Sequence, residues 1–252
     1  MSGGVALVTG GAKRIGLAIV RELVGAGYAV AIHCQESEAD ASVLAAEIIE
    51  SGGRACVVPA DLADMDATDA IVPQAAAALG PVNLLVNNAS MFEPDDIRSF
   101  SNGLWEKTFS VNLRAPVVLA SAMARLLPAG QTGAVINILD QRVLRPNPQF
   151  FSYTLTRSAL YTATVTMAQA LAPHIRVNAV APGPTMQGSR QSPADFARQS
   201  EATLLGRGPT PREVAQAVLY LAEADAITGQ TLAVDGGQHL LWRTADVDGI
   251  RE

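Results

Sequence analysis

The sequence predicts an α/β chain built on a doubly wound parallel sheet, in a single domain over residues 1–252. Three observations predict it. Short apolar runs alternate with longer amphipathic ones along the whole chain. The short runs are almost continuously apolar, as in strands covered on both faces. No Pro-, Gly- or Ser-rich linker interrupts the alternation, and 49% hydrophobic residues against 17% charged supply a large core.

The elements follow in order. "VALVTG" (5–10) reads as a buried strand, and "RIGLAIVRELVGAG" (14–27) as a helix stopped by Gly27. "YAVAIHC" (28–34) is the second strand, followed by a helix near 38–52. The strand pattern returns in "RACVVPADL" (54–62), "VNLLVNNAS" (82–90), "GAVINILD" (133–140) and "IRVNAVAPG" (175–183). Helices are expected near 66–79, 103–127 and 151–172. "TPREVAQAVLYLAE" (210–223) carries a capping box, with Thr210 as N-cap, Pro211 at the first helical position and Glu213 at the third. "QTLAVDGG" (230–237) is the last strand. Residues 183–209 form one long irregular stretch; loops of that length in compact domains act as lids or binding loops, and 184–209 is read as a substrate lid.

Composition also excludes function classes. The net charge is −6, from 18 basic and 24 acidic residues, and there is no long basic run, so nucleic acid is not an expected partner. Two cysteines, Cys34 and Cys56, suit reduced thiols in a cytoplasmic protein rather than a disulfide framework. Neither a signal-peptide pattern nor an 18-residue apolar run is visible, so no membrane partner is expected. CxxC pairs, His-rich clusters and HExxH are missing, so no metal site is expected.

"VTGGAKRIG" (8–16) passes from the first strand into a helix. Such a glycine-rich turn brings backbone N–H groups and the helix dipole to a pyrophosphate, the Rossmann-type arrangement. The second strand ends in "HCQES" (33–37) without an acid at its tip. An acid there grips the ribose diol of NAD and repels a 2′-phosphate. Neutral Cys34 with Lys13 and Arg14 nearby therefore favours NADP(H), Glu36 argues the other way, and NAD(H) stays possible.

"YTLTR" (153–157) sets Tyr153 and Arg157 one helical turn apart on one face. Taken with "TGGAKRIG", "DL" (61–62), "NNAS" (87–90), "APG" (181–183) and "ITGQTLAVDGG" (227–237), it makes the whole chain resemble the short-chain dehydrogenase/reductase family. Arg14 replaces the middle glycine of that family's first motif, Ser90 the glycine of Asn-Asn-Ala-Gly, and Asp140 the serine 13 residues before the tyrosine. With Phe92 two residues after Ser90, these departures are similar to the pteridine reductase and dihydromonapterin reductase subgroup.

The resemblance implies site roles. Tyr153, Arg157, Asp140 and Asn112 are the catalytic candidates. Tyr153 donates the proton, and a neighbouring cation is expected to lower its pKa towards the operating pH. In the family a lysine stands where Arg157 is, and arginine keeps the charge without a dissociable proton. Asp140 orients the tyrosine and helps deliver protons, and Asn112 holds a relay water. Gly10, Lys13, Arg14, Ile15, Gly16, Cys34, Gln35, Ser37, Asp61, Leu62, Asn88, Ala89, Ser90, Pro182 and Gly183 contact the cofactor. Arg14, Ser90, Phe92 and Tyr153 contact the substrate, with Phe92 stacked on a pterin. His33 and His174 read as structural, and His239 as lying towards a neighbouring subunit. The resemblance also implies a homotetramer joined through helices 103–127 and 151–172. Two other readings stay open: a reductase of ketones or other carbonyl compounds, and a nucleotide-binding protein impaired in catalysis by Arg157.

Overall fold

The computed structural model describes residues 3–244 and Asp248. Seven strands form one sheet: β1 (Val5–Val8), β2 (Ala29–Cys34), β3 (Ala55–Pro59), β4 (Val82–Asn87), β5 (Gly133–Ile138), β6 (Ile175–Pro182) and β7 (Thr231–Val234). Their order is β3-β2-β1-β4-β5-β6-β7, and every pairing is parallel. The chain winds outward from β1 in one direction, then returns to β4 and winds the other way. The crevice outside the carboxyl ends of β1 and β4 is thus the switch point where ligands bind in such sheets.

Alternation along each strand divides the core in two. Ala6, Val8, Val30 and Ile32 face one cluster, while Val5, Leu7, Ala29 and Ala31 face the other. The first cluster is closed by α1 (Arg14–Gly25), α2 (Glu38–Glu50) and α8 (Pro211–Glu223). The second is closed by α3 (Met65–Leu79), α5 (Ala115–Leu126) and part of α6 (Phe151–Leu171). Strands buried on both faces in this way are mostly apolar, and their buried polar exceptions, His33, Asn87, Asn137 and Asn178, are hydrogen-bonded.

The predicted capping box of α8 is formed: the Thr210 hydroxyl accepts from the Glu213 N–H, and the Glu213 carboxylate accepts from the Thr210 N–H. Two expectations need correction. The helix predicted over 103–127 is broken: α4 (Asn102–Phe109) runs into a π-helical turn at Ser110–Arg114 before α5 begins. The stretch 183–209 is not wholly irregular, because α7 (Pro193–Glu201) lies inside it, capped by Ser192. Among the described residues, no helix is long and apolar enough to cross a membrane.

Candidate active site

The turn after β1 is tied down from three sides. Gly10 takes φ +60°, a conformation open to glycine and costly for other residues. The Thr9 hydroxyl accepts from the N–H groups of Asn88 (2.9 Å) and Ala89 (3.0 Å). The Asn88 side-chain amide donates to the carbonyls of Thr9 (2.8 Å) and Gly10 (3.1 Å). His33 closes the third side: its Nδ1 accepts from the Gly10 N–H (3.2 Å), leaving Nε2 to donate to the Ala60 carbonyl (3.2 Å). Burial holds this ring neutral and lowers its pKa to about 4. The Asn88 amide is thus spent on holding the turn. Sequence placed His33 as structural, without showing that it braces the nucleotide turn.

Gly16 lies where a Cβ would come within 2.1 Å of the Gly10 carbonyl oxygen. Its absence lets α1 start directly against the turn. Lys13, the N-cap, makes no side-chain cap, and the first turn of α1 holds no acid. The donor set there fits an anion such as a pyrophosphate, because nothing acidic competes at the positive end of the helix. Ile15 packs against the first core cluster beside it.

Further along the crevice the predicted residues divide. Gln35 and Glu36 are exposed, Ser37 and Asp61 are half-buried, and Asp61 accepts from the Ala63 N–H (2.9 Å). The side chains of Cys34 and Leu62 are buried in the two core clusters, which leaves their backbone to face a ligand. Lys13 pairs with Asp40 of α2 at 2.9 Å on the surface. Ala89 and Ser90 continue the β4 end, with Ser90 exposed, and Pro182 and Gly183 end β6 beside β7.

The catalytic candidates converge where β5 and α6 meet. The Tyr153 hydroxyl donates to Asp140 Oδ2 (3.0 Å). Asp140 Oδ1 accepts from the Arg142 N–H (2.9 Å), capping a 3-10 turn at Gln141–Val143. The Arg157 guanidinium carbon lies 5.2 Å from the centre of the Tyr153 ring, and Arg157 is 2% exposed. The expected lowering of the Tyr153 pKa is corrected. Burial raises it first and the Asp140 carboxylate raises it further, while Arg157 pulls down without overcoming them. The phenol is thus held protonated, in a state to donate.

Asn112 sits fully buried in the π-helical turn. Its amide accepts from the Met91 N–H and donates to the Met91 carbonyl, both at 2.8 Å, and also donates to Thr156 (3.3 Å). That side chain ties the Met91–Phe92 segment to α6. Asp95, which sequence reasoning missed, does similar work. Its carboxylate accepts from both the N–H and the hydroxyl of Ser152, holding the first turn of α6.

Phe92, half-exposed, meets the Tyr153 ring edge-on at 4.6 Å and stacks on Phe150 at 4.0 Å with 8° between planes. Phe150 reaches this position from a left-handed backbone, φ 54° and ψ 56°, which costs on the order of 1–3 kcal/mol in a non-glycine residue. Arg142 lies over both rings, at 5.4 Å from Phe92 and 5.0 Å from Phe150. Arg142 and Phe150 carried no motif signal, so sequence reading passed over them.

Residues 186–190 strap the cleft. Arg14, at φ 52°, donates to the carbonyls of Gln187 (3.1 Å) and Met186 (3.3 Å). Arg190 pairs with Glu93 (3.0 Å) and donates to the Phe92 carbonyl. Arg14 thus ties the start of α1 to the strap. His174 is exposed at a turn, and His239 pairs with buried Asp235 at 2.7 Å. Among the described residues, no group of three or more His, Cys, Asp or Glu side chains is placed to hold a metal ion.

The assembled centre offers an anion-receiving helix start, a protonated phenol backed by a carboxylate and a buried cation, and an aromatic face beside the phenol. Comparison with known proteins adds to this geometry. The family described as short chain dehydrogenase matches residues 4–195. L-xylulose reductase of Bos taurus is 36% identical over 246 residues, covering 94% of this chain and 97% of that protein. L-rhamnose 1-dehydrogenase (NAD(P)(+)) of Azotobacter vinelandii is 34% identical, covering 92% and 94%. Among solved structures, FolM alternative dihydrofolate reductase 1 from Brucella canis, complexed with NADP, is 51% identical. It superposes with a TM-score of 0.95 and covers 98% of both chains. A blue fluorescent protein from a metagenomic library, in complex with NADPH, is 34% identical with a TM-score of 0.86, covering 94% of this chain and 98% of that one.

Proposed function

The chain belongs to the short-chain dehydrogenase family and is an oxidoreductase, and from that premise we propose that it uses NADPH to reduce a pterin-type substrate, a dihydropterin or dihydrofolate. The observation that carries this reading is the Asp140–Tyr153–Phe92 cluster, a proton donor at 3.0 Å from a carboxylate with an aromatic ring at 4.6 Å. A flat heteroaromatic ring stacks on such a face, worth roughly 0.5–1.5 kcal/mol beyond its burial. The Brucella dihydrofolate reductases, complexed with NADP, support both the substrate class and the cofactor.

When bound, NADPH supplies the hydride. Gly10, Ile15, Gly16 and the start of α1 would hold its pyrophosphate, with Gln35, Ser37 and Asp61 on the adenosine side and Lys13 near the 2′-phosphate. Tyr153 gives up the proton at its hydroxyl. Its raised pKa keeps that proton in place until the substrate draws it, which suits reduction rather than oxidation. Arg157 steadies the phenolate left behind but gives up no proton, so Tyr153 is recharged by a proton taken up from solvent, which the Asp140 carboxylate bonded to its hydroxyl can accept and pass on. On this reading 184–209 acts as a lid. The exposed Val117 of α5 and Leu155 and Val165 of α6 join the chain into a homotetramer.

The test is NADPH oxidation by pure enzyme with dihydrobiopterin, dihydromonapterin and dihydrofolate. Turnover of at least one supports the reading. A second reading, reduction of a ketone or sugar carbonyl, is favoured by the similarity to L-xylulose reductase; turnover on a carbonyl panel with none on pterins would replace the first reading by the second. Tight NADPH binding without turnover on either would point to a protein impaired by Arg157.

A further inference from the structure

We infer that Arg142 is a specificity-determining residue that anchors the substrate's ring, laying its guanidinium against the ring and donating a hydrogen bond to an acceptor atom on it. This deepens the pterin reading and rests on it.

The placement comes from the backbone. The bond from the Arg142 N–H to Asp140 fixes Arg142 in the turn that follows the catalytic carboxylate. From there its guanidinium lies 5.4 Å from the centre of Phe92, the same ring that touches Tyr153. Arg142 therefore stands at the level of the reacting ring. Substrate parts remote from that ring would meet the strap instead.

Its bonding is incomplete. The ion pairs of the described residues engage Lys13, Arg21, Arg125, Arg176, Arg190, Arg198, Arg207 and His239, and leave Arg142 out. Its Nη1 is buried and has no hydrogen-bond partner. A half-buried cation with one donor shut off from water and idle is costly, and one kept only for packing would be expected to find a partner for it. A flat ring with electron-rich oxygen and nitrogen atoms meets both needs: its face or edge suits a guanidinium, and its acceptors suit the free N–H. The Phe92–Phe150 stack beneath Arg142 shows the parallel packing that such a ring adopts.

The experiment compares wild type, Arg142→Gln and Arg142→Lys on dihydrobiopterin, which carries no carboxylate, and dihydrofolate, which carries a carboxylate tail. Arg142→Gln is expected to lower kcat/KM for both substrates by about tenfold or more, chiefly through KM, with Arg142→Lys intermediate. Equilibrium binding of biopterin, followed by fluorescence quenching, should weaken in parallel while NADPH affinity holds. A folded Arg142→Gln with KM within about twofold of wild type on both substrates overturns the inference. So does a loss confined to dihydrofolate, which assigns Arg142 to the tail, or a loss that follows NADPH affinity. If Arg142→Gln does not fold, Arg142→Lys decides by the same KM criterion. A wild type idle on both substrates refutes the pterin reading itself, and the ring-anchoring role falls with it; an active wild type with an unaltered variant refutes Arg142 alone.

Discussion

Replacing Arg157 by methionine should separate catalysis from stability. The side chain is 2% exposed, its Nε has no partner, and no carboxylate among the described residues forms an ion pair with it. Its guanidinium carbon lies 5.2 Å from the Tyr153 ring centre. Two unit charges about 5 Å apart interact by about 3 kcal/mol at an effective dielectric of about 20. That energy favours the phenolate formed as Tyr153 gives up its proton, and methionine removes it. At 1.36 kcal/mol per decade, kcat should fall by about 100-fold. Stability should move the other way. Exchanging buried charge for apolar groups of similar volume leaves a protein unchanged or up to about 4 kcal/mol more stable. For a chain of this size that corresponds to a Tm rise of up to roughly 10 °C. The assay is steady-state NADPH oxidation at saturating substrate beside a thermal melt, with Arg157→Lys as the charge-retaining control, expected to keep more activity than methionine. A kcat within about threefold of wild type would remove the electrostatic role assigned to Arg157. A sharply lowered Tm would make the guanidinium structural.

Tyr153→Phe should abolish most turnover while NADPH affinity, read by thermal shift, stays near wild type; undiminished turnover would end the proton-donor assignment. Gly16→Ala sets a Cβ at 2.1 Å from the Gly10 oxygen and 2.7 Å from the Asn88 amide. The turn must open, losing two hydrogen bonds of about 1 kcal/mol each, so NADPH affinity should drop well before the fold is lost; titration with NADPH checks this, and an unaltered affinity would count against the turn as the cofactor site. His33 carries a pH signature. Its folded pKa of about 4 lies below the ordinary imidazole value of 6.5, so the unfolded chain takes up the proton first. Its contribution is intact above pH 6.5 and is lost as pH falls from 6.5 to 4, about 3 kcal/mol in all. His33→Gln should flatten the stability–pH curve across that window relative to wild type; identical slopes in denaturant titrations would refute the assignment.

The sheet was legible because buried parallel strands leave nearly continuous apolar runs, and the capping box of α8 because its residues are the mechanism. The break at Ser110–Arg114 was not, since one widened turn leaves the apolar spacing on either side intact. The start of α7 did carry a signal, Ser192 followed by Pro193 and Asp195, but its polar faces offered no apolar period to attract notice. In the site, Tyr153, Asp140 and Phe92 were identifiable because spacing and residue type together mark them. The direction of the Tyr153 shift was not, because it depends on burial outweighing a nearby cation, a balance that no local pattern encodes. Phe150 was invisible for a related reason: tertiary contacts with Phe92 and Arg142 accompany a backbone conformation that nothing in its own sequence suggests.

The central claim, that this cleft reduces a pterin ring stacked on Phe92 with Tyr153 as donor, is tested most directly by a crystal structure of the ternary complex with NADP and a dihydropterin. The account predicts the pterin parallel to the Phe92 ring, with a ring atom in hydrogen-bond reach of the Tyr153 hydroxyl and Asp140 still bonded to it. A pterin bound away from Phe92, or one held with Tyr153 out of reach, would contradict it.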